Sequence, residues 1–152
     1  IVSINVSKGG VPKLPIAMAQ VGKLGIEGDK QKDKRYHGGP ERAICLFCIE
    51  EIMLLQEAGH PIFVGSTGEN LTLSTAHYAL LQPGVRLSIG LEVELEITSF
   101  AAPCKTIRHS FLNDEFKLMS VKLFPTRSRL YAKVIRDGSI YVDDQVLLLT
   151  SD

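Results

Sequence analysis

A mostly β, barrel-like domain with a few short helices is what this sequence predicts, and three observations carry the prediction. Short β-rich runs recur between turn signals at 1–6, 43–48, 69–73, 86–89, 91–98, 130–136 and 139–149, the spacing expected of a closed or partly open antiparallel barrel. The stretch Leu91-Glu92-Val93-Glu94-Leu95-Glu96-Ile97-Thr98 alternates apolar and polar residues strictly, as a strand with one wet face requires. Helical periodicity is clear in one segment only, 49–58. At 152 residues, without an internal repeat or a Pro/Gly-rich linker, the chain is expected to form one domain over 1–152.

The run 1–6 opens the pattern as a strand. Residues 43–48 read Ala-Ile-Cys-Leu-Phe-Cys, a continuous apolar run of the kind found in a strand buried on both faces. Ile49, Ile52, Met53 and Leu55 then mark one side of a short amphipathic helix that stops before Gly59, a C-terminal helix signal. Residues 69–73 return to the strand pattern. The runs 86–89 and 91–98 are joined through Ser88-Ile89-Gly90-Leu91, and 130–136 and 139–149 through Arg136-Asp137-Gly138-Ser139. These Gly and Asp-Gly junctions predict tight hairpins and antiparallel pairing. A weaker helical candidate, 105–118, follows Pro103-Cys104 and mixes polar and aromatic residues.

Composition excludes several function classes. With 17 basic and 17 acidic residues the formal charge is zero, so no basic field draws the molecule to nucleic acid. No apolar run approaches the roughly 20 residues that cross a bilayer, so no membrane partner is expected. The three cysteines, Cys45, Cys48 and Cys104, form an odd set in a chain without a signal peptide, which fits the reducing cytoplasm better than a secreted disulfide framework. Oligomeric state is not legible.

Four glycine-bearing polar clusters interrupt the apolar strands: Gly28-Asp29, His37-Gly38-Gly39-Pro40 with Arg42, Gly65-Ser66-Thr67-Gly68-Glu69-Asn70, and Pro103-Cys104-Lys105. Successive N–H groups at glycine pairs suit an anionic or polar ligand. Taken one at a time, each cluster is also an ordinary turn, and neither the phosphate-loop nor the dinucleotide spacing is present. Cys104 has Lys105, Arg108 and His109 close by in sequence, a setting that stabilises a thiolate if the following segment is helical. It is then a candidate nucleophile, sulfur carrier or soft-metal ligand. Cys45 and Cys48 have Cys-x-x-Cys spacing, but they lie inside the apolar run and no second pair completes a zinc site, so they read as inert buried thiols. His37 is a candidate base, ligand or cofactor donor, while His60 and His77 read as loop residues. Asp29 and Glu69 are open to acid–base work or to capping a turn or helix, of which the structural role is preferred.

In order, Gly25-Ile26-Glu27-Gly28-Asp29, His37-Gly38-Gly39-Pro40-Glu41-Arg42-Ala43, Gly65 to Thr72, Pro83 to Gly90, Ala102-Pro103-Cys104-Lys105 and Tyr131-Ala132-Lys133-Val134 resemble the MOSC family over nearly the whole chain. The family takes its name from the C-terminal domain of molybdenum cofactor sulfurases. The resemblance implies a β-barrel with a pocket for the pyranopterin form of molybdenum cofactor, and it makes Cys104 the family cysteine, catalytic and a metal ligand. His37, Gly38, Gly39, Arg42, Gly68, Glu69, Asn70 and Arg127 would bind the cofactor, the arginines through forked donors to its phosphate and pterin edge. Two positions depart from the pattern: Arg129 stands where glycine is usual, which weakens the transfer to Arg127, and Asp143-Asp144 replaces Gly-Asp. The resemblance implies a reductase of N-hydroxylated compounds that draws electrons from a redox partner. It also leaves room for a carrier of sulfane sulfur charged by a separate desulfurase, which alone would hold pyridoxal phosphate, or for a non-catalytic cofactor carrier.

Overall fold

The computed structural model describes residues 1–30 and 38–149. Its strands are β1 (Ser3–Val6), β2 (Leu14–Ile16), β3 (Met18–Gly22), β4 (Gly25–Ile26), β5 (Ile44–Cys48), β6 (Leu71–Leu73), β7 (Arg86–Ile89), β8 (Val93–Ala101), β9 (Arg129–Arg136), β10 (Gly138–Tyr141) and β11 (Val146–Leu149). One α-helix, α1 (Ile49–Glu57), and several short 3-10 turns complete the fold. The mostly β expectation is met. An eight-stranded sheet runs β11-β7-β8-β9-β5-β6-β1-β2, and a three-stranded sheet runs β10-β3-β4.

The alternation that marks β8 works as expected. Val93, Leu95 and Ile97 are buried, while Glu94 and Glu96 lie on the wet face, where Arg86 of β7 and Lys133 of β9 pair with them across the strands. Leu91 does not join the apolar face; at 97% exposure it occupies the turn between β7 and β8. β5 is buried along its whole length because it sits between β9 and β6 with core on both sides. It pairs with β6 in parallel, since α1 and the loop after it carry the chain back to the start of the sheet. Ile52 and Leu55 seat α1 on the core.

The structure corrects the sequence reading in several places. The two sheets are not closed into a barrel, and the pairing is not wholly antiparallel. The junction at 136–139 is no hairpin: β9 pairs with β5 and β8, and after Gly138 the chain crosses to the second sheet, where β10 pairs with β3. The run 139–149 is two strands, broken at Asp143. This residue takes the left-handed conformation (φ 74°) that glycine would adopt, and the Asp144 carboxylate accepts the Tyr141 N–H at 2.8 Å. β10 and β11 therefore serve different sheets. The candidate helix 105–118 is instead three 3-10 turns, Lys105–Ser110, Leu112–Asp114 and Phe116–Met119, because Phe111 is extended and Asn113 and Asp114 are left-handed. The short strands β2, β3 and β4 escaped the sequence reading; β2 is an edge strand of three residues with Pro15 at its centre, which propensity disfavours.

Candidate functional site

The site is built where β8 ends and β9 begins. Ala101 is opposite Arg129 in the β8–β9 register, so the Ala102-Pro103-Cys104 loop leaves the sheet beside the Arg129 side chain. Cys104 is half-buried, and its Sγ lies 2.7 Å from the Thr106 Oγ1. The following turn is anchored: the Ser110 hydroxyl reaches the Ser66 Oγ at 2.8 Å, which ties the Cys104 segment to the Gly65–Asn70 loop. Arg108, Lys105 and His109 are exposed, and Arg108 turns back to donate to the Lys105 carbonyl at 2.9 Å.

Arg129 is 3% exposed, and its guanidinium donates through Nη1 to the Thr67 carbonyl at 2.6 Å and through Nη2 to the Ala102 carbonyl at 3.2 Å, bridging the two loops. Its Nε has no partner. Two residues along β9, on the same face, Tyr131 packs in a small buried group with Cys45 and Ala101, and the Arg42 guanidinium lies 5.5 Å from its ring centre. The Tyr131 phenol is pushed up to about 12, chiefly by burial; the Cys45 and Cys104 thiols add to the rise, while Arg129 and Arg42 oppose it. Tyr131 therefore has both thiols and both guanidinium groups in its surroundings.

Behind this lies a buried polar layer. Glu69 is fully buried; its Oε1 accepts the Thr67 hydroxyl at 3.0 Å, and its Oε2 has no partner. Burial raises its pKa above the usual carboxylate value, against smaller opposing contributions from hydrogen bonds and Arg129. Asn70 is saturated: its Oδ1 accepts the Cys45 N–H at 3.0 Å, and its Nδ2 donates to Asp29 Oδ2 at 2.9 Å and to the Asn5 carbonyl at 3.3 Å. Asp29 also accepts the Ser7 N–H at 2.9 Å and the Lys13 ammonium at 2.6 Å, an ion pair whose two side chains are 3% and 5% exposed. Gly65 is fixed by close approach: at φ 84° an added Cβ would sit 2.1 Å from the Lys13 carbonyl oxygen.

The structure thus brings Cys104, Arg42, Glu69 and Asn70 into one region, with Gly68 in the Glu69 loop. Gly38 and Gly39 are consecutive left-handed glycines at the start of the Pro40–Arg42 turn, and a Cβ on Gly39 would meet nothing within 4 Å. His37 falls outside the described residues. Arg127 does not join the group: its Nε is 3.4 Å from the Glu51 carboxylate on α1, and it stacks 4.5 Å over Phe124. Arg129, read from sequence only as a departure from a pattern, is the arginine that enters the site; its alternation with Tyr131 along β9 was the available signal. Cys45 and Cys48 are buried thiols pushed up to about 11 and about 12 by burial. His60 is tied into the fold by accepting the Leu112 N–H at 3.1 Å, whereas His77 is exposed. Among the described residues no three His, Cys, Asp or Glu side chains gather as a metal-ligand set.

Comparison with known proteins places the chain in a family. The family described as MOSC domain matches residues 33–147. Protein YiiM of Escherichia coli (strain K12) is 29% identical over 101 residues, covering 63% of this chain and 45% of that protein. The uncharacterized protein YflK of Bacillus subtilis (strain 168) is 27% identical over 136 residues, covering 86% and 59%. The chain therefore spans about half the length of these curated relatives. In fold it matches the crystal structure of YiiM from Geobacillus stearothermophilus (TM-score 0.73, 24% identity, 99% of this chain and 74% of that one). It also matches the YUAD protein from Bacillus subtilis (TM-score 0.72, 21% identity, 95% and 92%). With the family match covering most of the chain, the protein belongs to the MOSC domain family.

Proposed function

We propose that this chain, as one module, binds molybdenum cofactor through the Cys104 loop and acts as a reductase of N-hydroxylated compounds, with electrons supplied by a redox partner. The observation that carries the reading is the contrast among the three unpaired thiols. Cys45 and Cys48 are sealed in the core, whereas Cys104 is accessible and stands at the meeting point of the Arg42, Glu69 and Arg129 segments. Three free thiols also fit a reducing compartment, the cytoplasm.

The residues present fit such a group. A thiolate is the soft donor that molybdenum favours. The open space at Gly39 lets a polar ring approach the backbone, and Arg42 offers a forked cation at the rim. Gly68 and the Glu69 loop would close the opposite wall, with Asn70 buttressing that wall rather than reaching a ligand, since its amide is already committed. When bound, the cofactor supplies oxygen-atom and electron transfer at its metal. The chain's own part is to present the sulfur, hold the ligand against the Tyr131 face and keep Arg129 bridging the two loops.

The test is expression in hosts competent and deficient in cofactor synthesis, followed by molybdenum and pterin analysis and an assay of N-hydroxylated substrates with a chemical reductant. Metal, pterin and reduction confined to protein from the competent host support the proposal; protein without either component from that host refutes it. The same accessible thiol also favours a second reading, carriage of sulfane sulfur from a partner desulfurase. That reading predicts a mass increase of one sulfur atom on the Cys104 peptide after incubation with desulfurase and cysteine.

A further inference from the structure

The buried polar layer contains two atoms to which the cofactor reading gives no role, Arg129 Nε and Glu69 Oε2. Arg129 is a buried guanidinium whose hydrogen bonds go to two carbonyls, of Thr67 and Ala102, and its Nε has no partner. Glu69 is a fully buried carboxyl whose Oε2 has no partner. Both are held on the same loop, since Thr67 accepts from Arg129 through its carbonyl and donates to Glu69 through its hydroxyl. Buried polar atoms are nearly always paired, and a buried charge calls for a counter-charge. We propose that Arg129 and Glu69 form a subsite for the anionic group of a ligand, an oxyanion or a carboxylate, entering beside the Cys104 loop.

Arg129 supplies the charge and the free Nε–H, and it already extends toward the surface where Nη2 meets the Ala102 carbonyl. Glu69 sets the electrostatic balance. With its carboxylate ionised, it competes with an incoming anion for Arg129; with a proton taken from solvent, it leaves the guanidinium uncompensated and turns Oε2 into a donor or a neutral acceptor. Among the described residues, the other ionisable groups facing Glu69 are Cys45 of β5 and Tyr78, both held neutral by burial, and one step further the Lys13–Asp29 pair, whose charges offset each other. Anion binding is therefore coupled to proton uptake by Glu69 and tightens as pH falls.

The source of the anion is either the cofactor's phosphate or a separate small anion, and the experiment separates them. Protein made in a cofactor-deficient host, labelled with 15N-arginine, is titrated with sodium sulfate, whose charge is constant over the working range, while the Arg129 Nε–H resonance is followed. The expected result is a saturable shift in the wild type, loss of saturable sulfate binding by calorimetry in Arg129→Lys, and an affinity tighter at the low end than at the high end of the pH range over which the protein stays folded, by about threefold or more. Glu69→Gln keeps the binding and loses the pH dependence. Sulfate response retained in cofactor-loaded protein assigns the subsite to a separate anion; response lost on loading assigns it to the cofactor's phosphate. A wild-type resonance that does not saturate, or whose sulfate affinity is the same across that whole pH range, overturns the proposal whatever the variants do. Because the primary titration uses cofactor-free protein, its failure is distinct from absence of molybdenum in the loaded preparation.

Discussion

Replacing Asp29 by alanine should be among the most damaging single changes in the chain. Asp29 holds three donors at once: the Lys13 ammonium at 2.6 Å, the Asn70 amide at 2.9 Å and the Ser7 N–H at 2.9 Å. With the paired side chains 5% and 3% exposed, solvent cannot take over any of these roles without local opening. Removing one partner of a buried ion pair costs about 3–5 kcal/mol because the other charge is stranded. Losing the acceptor of the part-buried Ser7 N–H and one of the two acceptors of the Asn70 amide adds to this, by up to about 1–3 kcal/mol for a donor left unpaired before the structure relaxes. A loss of about 4 kcal/mol or more follows, and for a domain of this size that lowers Tm by about 8–16 °C. The chain has no tryptophan, so far-UV circular dichroism and tyrosine fluorescence during urea unfolding are the suitable probes. The double variant Lys13→Met with Asp29→Leu removes both charges and fills the space, and it should be more stable than Asp29→Ala by about 1–3 kcal/mol. A cost below about 1 kcal/mol for Asp29→Ala, or a double variant less stable than the single one, would show that the buried Lys13–Asp29 pair does not stabilise the fold in this way.

Other predictions concern the same layer and its walls. The raised pKa of Glu69 means that the folded state holds a proton that the unfolded state releases above its ordinary value of 4.5, so stability falls as pH rises from there toward the folded pKa. Glu69→Gln should therefore gain on wild type progressively above pH 4.5 in urea unfolding at a series of pH values; parallel curves would count against this. Gly65→Ala must push a Cβ into the Lys13 carbonyl oxygen and should cost about 3 kcal/mol or more, whereas Gly84→Ala, equally left-handed but with nothing within 4 Å, should cost about 1 kcal/mol. Thermal melts of the two variants give the comparison directly. Arg127→Ala breaks an ion pair with Glu51 away from the Cys104 loop, so bound pterin and molybdenum should be unchanged while the protein loses about 0.5 kcal/mol or less.

Legibility in the sequence followed the physics of each element. β8 and β5 were plain because one alternates strictly and the other is apolar throughout, patterns that burial on one face or on two enforces. α1 was plain because its apolar spacing ends at a glycine. What local pattern does not encode is partnership. The Asp-Gly after β9 reads as a hairpin, yet β10 pairs with β3 from the other end of the chain, a choice made by tertiary packing. Asp143 hid a turn inside one apolar run because an aspartate was doing what glycine commonly does. The same limit governed the site. Cys104 could be singled out by its setting among polar loops, but the cofactor role went to Arg127, with Arg129 noted only as a departure from a glycine pattern, because the strand was expected to begin at 130 and not at Arg129. Starting β9 at Arg129 places that side chain on the Tyr131 face and leaves Arg127 in a turn against α1.

In the proposed function the Cys104 sulfur, rather than the pocket alone, anchors the metal. The most direct measurement is molybdenum and pterin per chain in wild type, Cys104→Ser and Cys45→Ser, all purified from a cofactor-competent host. Both components are expected in wild type, with molybdenum sharply reduced relative to pterin in Cys104→Ser and an unchanged ratio in folded Cys45→Ser. Molybdenum absent from wild type, or the same metal-to-pterin ratio in Cys104→Ser, would contradict that anchoring role.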